Sequence, residues 1–280
     1  MRIHCWGARG SIAVSGDQYR RYGGDSTCVE VCDGSGNIVI IDSGTGIRAL
    51  GNRLVDRGFG DIHMLFTHLH WDHIIGFPFF KPLYDSRAVI HVHGCSAVQG
   101  SLLDNVYHTM SSPHFPIEPE IIRAAVTYHD QGCAPFRIGA LQVSPIPLRH
   151  PNHGLGFRFE QDGKRFVFLT DNELAHAHEG GRDYPEYVRF CAGADVLVHD
   201  AEFLDREYER TRGWGHSRAT DAVRLALDAG VARLGLFHHN QDRTDDQVDA
   251  MVAMCREMIA DAGSGTECFG VRQGMEIRLE

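Results

Sequence analysis

A short hydrophobic run, His63-Met64-Leu65-Phe66, passes directly into Thr67-His68-Leu69-His70-Trp71-Asp72-His73, and Ile74-Ile75-Gly76 leads out. The change from apolar to polar and back predicts a strand that ends in a loop and turns into a helix. In extended chain, residues two apart share a side, so the imidazoles of His68 and His70 can face one point. Asp72 and His73 follow at once and can face a neighbouring point. Imidazole with carboxylate is a donor set for zinc, manganese or iron(II). The chain carries 18 histidines, so a polar histidine-rich loop is the competing explanation. An H-x-H-x-D-H spacing at a strand end nevertheless has a mechanical purpose that composition does not supply.

Thr67 to His73 resembles the metal motif of the metallo-β-lactamase superfamily. The resemblance implies two half-sites, His68 and His70 serving one metal and Asp72 and His73 the other. It also implies three later ligands in order: a histidine, a bridging aspartate at a strand end, and a last histidine after a strand. His150 and His153 both suit the first of these. His150 stands six before Gly156-Phe157, which is similar to the spacing in the phosphodiesterase branch, so His150 is taken as the ligand and His153 as a substrate contact or supporting group. Asp171 follows the strand Arg165–Leu169 and is the expected bridge; its two oxygens can serve two cations, which a neutral imidazole cannot do. His238 ends the strand from Arg233 and is the expected last ligand, with His239 the alternative. Asp42, ending the strand before the motif, is expected to orient a metal histidine.

The remaining pattern alternates strands with helices. Strands are expected at 2–6, 26–33, 37–42, 88–94, 124–129, 135–139 and 141–147, and helices at about 96–107, 217–229 and from Thr244 to about 262. Ile47, Leu50, Leu54 and Val55 form the apolar stripe of a helix after Asp42. The Gly-rich stretches at 7–10 and 22–24 read as tight turns. Met110–Pro119, with three prolines, is expected as a rigid loop bordering the active site, with His114 and Phe115 touching substrate. The 280 residues, 43% of them hydrophobic, suit one large domain over 1–280. The resemblance gives that α/β (α+β) domain an αββα architecture: two mixed sheets back to back, helices outside, metals at one edge.

Two further motifs refine the chemistry. His199-Asp200-Ala201 and Gly215-His216-Ser217 look like the paired motifs of ribonuclease Z-like phosphodiesterases, with Asp200 where that branch has glutamate. There the pair protonates the leaving oxygen, which suits an alkoxide that departs poorly as an anion. Asp72 is expected to take the proton of the attacking water. The implied activity is binuclear metal-dependent hydrolysis of a small phosphodiester, such as a cyclic nucleotide, a cyclic sugar phosphate or a short oligonucleotide. Zinc is the first expectation for the two metals, with manganese or iron open. A lactone, thioester or β-lactam hydrolase is the alternative, and a ligand-binding sensor without turnover a further one. The net charge of −10 argues against long nucleic acid as partner. No apolar run reaches membrane-spanning length, and the first residues lack a signal-peptide pattern. Eight dispersed cysteines are read as reduced, buried thiols of a cytoplasmic protein. A homodimer is a family-level expectation only.

Overall fold

The early strands build the first of two seven-stranded sheets. A computed structural model describes residues 1–113 and 115–280, so the expectation placed on His114 lies outside the described residues. The first sheet contains β1 (Arg2–Gly7), β2 (Cys28–Cys32), β3 (Ile38–Ile41), β4 (Ile62–Leu65), β5 (Val89–Gly94) and β6 (Ala125–Asp130). The second contains β7 (Phe136–Ile138), β8 (Leu141–Pro147), β9 (Leu155–Gln161), β10 (Lys164–Leu169), β11 (Val196–Asp200), β12 (Arg233–Phe237) and β13 (Glu267–Gly270). The chain then returns as β14 (Glu276–Arg278) to pair with β1, giving the order β14-β1-β2-β3-β4-β5-β6 beside β13-β12-β11-β10-β9-β8-β7.

Each sheet is antiparallel in its hairpin half and parallel in the other: β3 to β6 in the first, β10 to β13 in the second. Parallel strands covered on both faces read as unbroken apolar runs. Ile38-Val39-Ile40-Ile41 and Val196-Leu197-Val198 are such runs, and all their residues are buried. Between the sheets Val29, Val39 and Ile41 meet Val143, Phe157 and Phe166.

Helices cover the outer faces. On the first sheet lie α1 (Ile47–Arg57), the single turn α2 (Trp71–Ile74), α3 (Ser96–Gln99) and α4 (Leu102–His108). On the second lie α5 (Tyr184–Cys191), α6 (Asp205–Thr211), α7 (Ala219–Asp228) and α8 (Asp245–Asp261). Ile47, Leu50 and Leu54 bury as expected, whereas Val55 faces solvent. The helix expected over 96–107 breaks at Gly100, where φ is +58°, into α3 and α4. Helix α6, Asp-Arg-Glu-Tyr-Glu-Arg-Thr, buries only Tyr208, so it has no apolar period to announce it. Thr244 and Gln247 form the reciprocal cap of α8, with Thr244 N–H donating to Gln247 Oε1 at 2.9 Å.

The expectation of eight reduced thiols is corrected at one pair. Cys95, just before α3, and Cys133, after β6, are joined in a disulfide with their Cα atoms 5.1 Å apart. Sequence separation of 38 hides this, because the pairing depends on β5 and β6 lying side by side. The other six cysteines are free and buried. Among the described residues no helix is long and apolar enough to cross a membrane.

Candidate metal centre

The carboxyl ends of the parallel strands meet at one edge of the sandwich, and the motif residues sit just beyond them. His68 follows β4, His150 follows β8, Asp171 follows β10 and His238 follows β12. Asp42, Asp171 and His238 each leave their strand with left-handed φ of +61°, +55° and +56°. Non-glycine residues adopt that conformation at a cost, and such strain concentrates at functional sites.

Donor atoms of His68, His70, His150 and Asp171 lie within 4.8 Å of one another, as do those of Asp72, His73 and His238. Asp171 lies between the two groups. Its Oδ2 stands 3.5 Å from His68 Nε2 and 3.9 Å from His150 Nε2, while its Oδ1 stands 3.4 Å from both His73 Nε2 and His238 Nε2. One carboxylate oxygen thus addresses each group.

Supporting contacts aim the imidazoles. His73 Nδ1 donates to Asp42 Oδ2 at 2.8 Å, His238 Nδ1 to Glu202 Oε2 at 2.8 Å, and His150 Nδ1 to the Gly215 carbonyl at 3.0 Å. Each bond fixes a tautomer whose Nε2 lone pair faces the centre, the arrangement that outer partners give to metal-binding histidines. Asp42 is fixed in turn by Thr67, whose N–H and hydroxyl donate to its two oxygens at 2.7 Å. Buried His68 Nε2 and His73 Nε2 have no hydrogen-bond partner. Orphaned nitrogens are costly unless something else occupies them, and here they converge on carboxylates at a spacing suited to divalent cations.

The charges also fit. Burial pushes the Asp72 carboxyl up, but the neighbouring His73 and His238 outweigh it and hold the group well below the carboxylate range. For Asp171, burial is likewise outweighed by His238, His73 and His68. Burial opposes protonation of His73, yet Asp72, Asp171 and Asp42 raise it well above the usual imidazole range; His238 is raised too, by Asp171, Asp72 and Glu202. The carboxylates therefore demand positive charge, and without a cation they draw it from protons on the imidazoles. Bound cations meet the same demand and release those protons.

The open alternatives separate spatially. His150 is buried in the cluster, while His153 is exposed and its Nδ1 bonds to the Glu179 carbonyl at 3.1 Å. His238 points inward, while buried His239 bonds through Nε2 to the Val271 carbonyl at 2.7 Å. Phe115 packs edge-on against Phe79, in the segment that follows the motif, at 5.6 Å between centroids. Asp200 is buried, and its oxygens accept from Asn172 N–H at 3.0 Å and Ser217 N–H at 2.7 Å. Burial, then the Asp171 charge, raises its carboxyl well above the usual range. His216 Nδ1 is buried without a partner and faces three carboxylates: Glu202 Oε2 at 3.5 Å, Asp171 Oδ2 at 3.7 Å and Asp200 Oδ2 at 3.8 Å.

Sequence reasoning missed Glu202 and the Gly7–Ser11 loop. Glu202 follows Asp200 at the period of two that puts both on one side of an extended chain, and this was the available signal. Gly10 packs on His238: a Cβ there would lie 2.2 Å from its Nδ1. Ser11 N–H donates to Asp72 Oδ2 at 2.9 Å. Gly215 serves His150 in the same way, since a Cβ would lie 2.0 Å from Nδ1 and φ is +94°.

An αββα sandwich with a histidine–aspartate cluster at the strand ends defines the metallo-β-lactamase type of fold. The chain belongs to that superfamily: the model of the β-lactamase superfamily domain matches residues 37–239. Ribonuclease Z of Haloarcula marismortui is 26% identical, over 88% of this chain and 88% of its own length. The crystal structure of YhfI, a metallo-β-lactamase-fold protein of Bacillus subtilis, superposes with a TM-score of 0.70 at 15% identity, covering 99% of this chain and 98% of that one. A diphosphatase of the PhnP family superposes with a TM-score of 0.69 at 18% identity, covering 100% of this chain and 98% of that one.

Proposed function

We propose that this chain is a binuclear metal-dependent phosphodiesterase acting on a small phosphodiester. The observation that carries the reading is the pairing of two donor groups across Asp171 with His216 beside them. His68, His70 and His150 would hold one cation, Asp72, His73 and His238 the other, with Asp171 between. Two divalent cations in such a site supply an activated water and Lewis acidity toward the phosphoryl group. The protein's own residues account for the rest. Asp72, which accepts from the Ser11 N–H, would take the proton of the attacking water. With Nδ1 turned to the carboxylates, His216 has Nε2 left for the leaving oxygen. Glu202 is the nearest of those carboxylates and ties His216 to His238. Among the phosphodiester hydrolases that resemble this chain, a proton donor matters because an alkoxide leaves poorly; an ester, thioester or lactam reading leaves the three-carboxylate environment of His216 without a purpose.

The ribonuclease Z relatives favour a second reading, cleavage of an RNA. The net charge of −10 weighs against a long polyanion, whose binding draws on phosphate neutralisation by basic side chains. A short or cyclic diester can instead rely on the cations for its charge.

Purified protein is assayed on bis(p-nitrophenyl) phosphate, with chelator and with Zn²⁺ or Mn²⁺ restored, alongside a transfer RNA substrate. Activity on the small diester that chelator abolishes and metal restores supports the reading. RNA cleavage with no small-diester activity moves the protein to the second reading. Inactivity on both, in protein carrying two metals, rejects both.

A further inference from the structure

Away from the metal centre, four imidazoles occupy one face of three neighbouring strands. His63 lies on β4, His91 and His93 on β5 and His129 on β6, with His63 opposite His91 and His93 opposite His129. His91 and His93 are two apart and share a side of the strand. The four rings form a continuous array, His63 stacking on His91 at 4.9 Å between centroids and His93 on His129 at 4.9 Å. Two close nitrogen pairs run through it: His63 Nδ1 to His93 Nε2 at 3.0 Å, and His91 Nδ1 to His129 Nε2 at 3.0 Å. Phe136 of β7 stacks on His93 at 5.1 Å and closes one side, while His63, His91 and His129 remain half-buried.

The array satisfies its own polar atoms, but apolar residues would bury this face without needing any partners. Its geometry has a chemical use. Two nitrogens bound about 2.0–2.1 Å from one ion lie roughly 2.9–3.4 Å apart for right-angled to tetrahedral bites, and each pair already spans that distance. The outer nitrogens of the β5 histidines are also engaged. His93 Nδ1 meets the Gln131 amide at 2.9 Å, and His91 Nε2 lies 3.6 Å from Asp61 Oδ2. Carboxylate or amide behind the distal nitrogen is the arrangement that orients a metal-binding imidazole.

We infer that His63, His91, His93 and His129 form a second transition-metal site, separate from the hydrolytic centre, that takes a late divalent ion such as Ni²⁺, Cu²⁺ or Zn²⁺ on its histidine pairs. Imidazole donors favour these ions over Mg²⁺, Ca²⁺ or Mn²⁺. On binding, the proton held between His63 Nδ1 and His93 Nε2 moves to His93 Nδ1, where Gln131 turns its amide oxygen to accept it, and the two freed lone pairs take the ion from one side.

Protein is first loaded with Zn²⁺ to fill the hydrolytic centre, freed of excess metal and dialysed against Ni²⁺, and both metals are counted per chain. The expected result is saturable uptake of Ni²⁺ with the zinc count unchanged. The double variants His63→Asn/His93→Asn and His91→Asn/His129→Asn are expected to weaken Ni²⁺ binding at least tenfold in one or both, with zinc content and hydrolysis unaffected. No saturable Ni²⁺ uptake by the wild type, uptake matched by zinc loss, or wild-type Ni²⁺ affinity in both variants overturns the inference. A failure of the hydrolytic-site reading shows separately, as a low zinc count before Ni²⁺ is added.

Discussion

Asp42→Asn tests how the centre is assembled, because it changes one atom and inverts a hydrogen-bond chain. In the native site Asp42 Oδ1 accepts the Thr67 N–H at 2.7 Å, and Oδ2 accepts the Thr67 hydroxyl at 2.7 Å and His73 Nδ1–H at 2.8 Å. The Thr67 backbone can only donate, so an asparagine must set its carbonyl oxygen there and its amide nitrogen on the His73 side. That nitrogen donates, which forces His73 Nδ1 to become an acceptor and moves the ring proton to Nε2. A protonated Nε2 faces Asp72 at 3.2 Å and Asp171 at 3.4 Å and has no lone pair for a cation. Loss of an orienting partner of this kind lowers metal affinity about 10–100-fold, or roughly 1.4–2.8 kcal/mol at tenfold per 1.4 kcal/mol. The fold should survive, since the amide keeps the size of the carboxylate and still satisfies Thr67. Asp42→Ala would instead strip acceptors from three buried donors, at roughly 1–3 kcal/mol each. Metal counting after gel filtration, calorimetric titration of the cation and thermal melting distinguish the two variants. If Asp42→Asn bound two cations with wild-type affinity, the tautomer argument would be refuted.

Other consequences follow from the same geometry. Gly215→Ala and Gly10→Ala should each lower metal content, because the added methyl collides with His150 or His238; an unchanged metal count with an unchanged melting temperature would contradict this. His216→Ala should retain both metals and lose activity steeply with leaving-group basicity, up to about 10²–10⁴-fold for an alkyl leaving group and much less for p-nitrophenolate; an equal loss for both would exclude an acid role. Burial holds His63 down at about 4 and His93 at about 3. The unfolded chain takes up those protons near pH 6.5 while the native chain does not, so stability should fall as pH drops from about 6.5 toward 4. Melting temperatures of His93→Asn should show a flatter profile over that window. Thiol titration of unreduced, denatured protein should find six groups, the two missing ones being Cys95 and Cys133; eight would remove the disulfide.

The sequence by itself determined the strand-to-loop placement of the chemistry. Thr67–His73 is local, and the alternation of apolar runs with polar strand ends survives in one dimension, so β3, β4, β10 and β12 were legible with the polar residues that end them. Tertiary structure decided which of two nearby histidines turns inward. His150 and His153, or His238 and His239, have the same chemistry; a resemblance in spacing favours His150, but the left-handed exit at His238 and the approach of Gly215 to His150 are what turn those two toward the centre. It also decided the partners: Glu202 meets His238 and His216 only because β11 and β12 run side by side. The Cys95–Cys133 bridge and the four-histidine array depend on the registry of β4, β5 and β6. Contacts between strands are fixed by sheet pairing, and residues distant along the chain carry no mark of it.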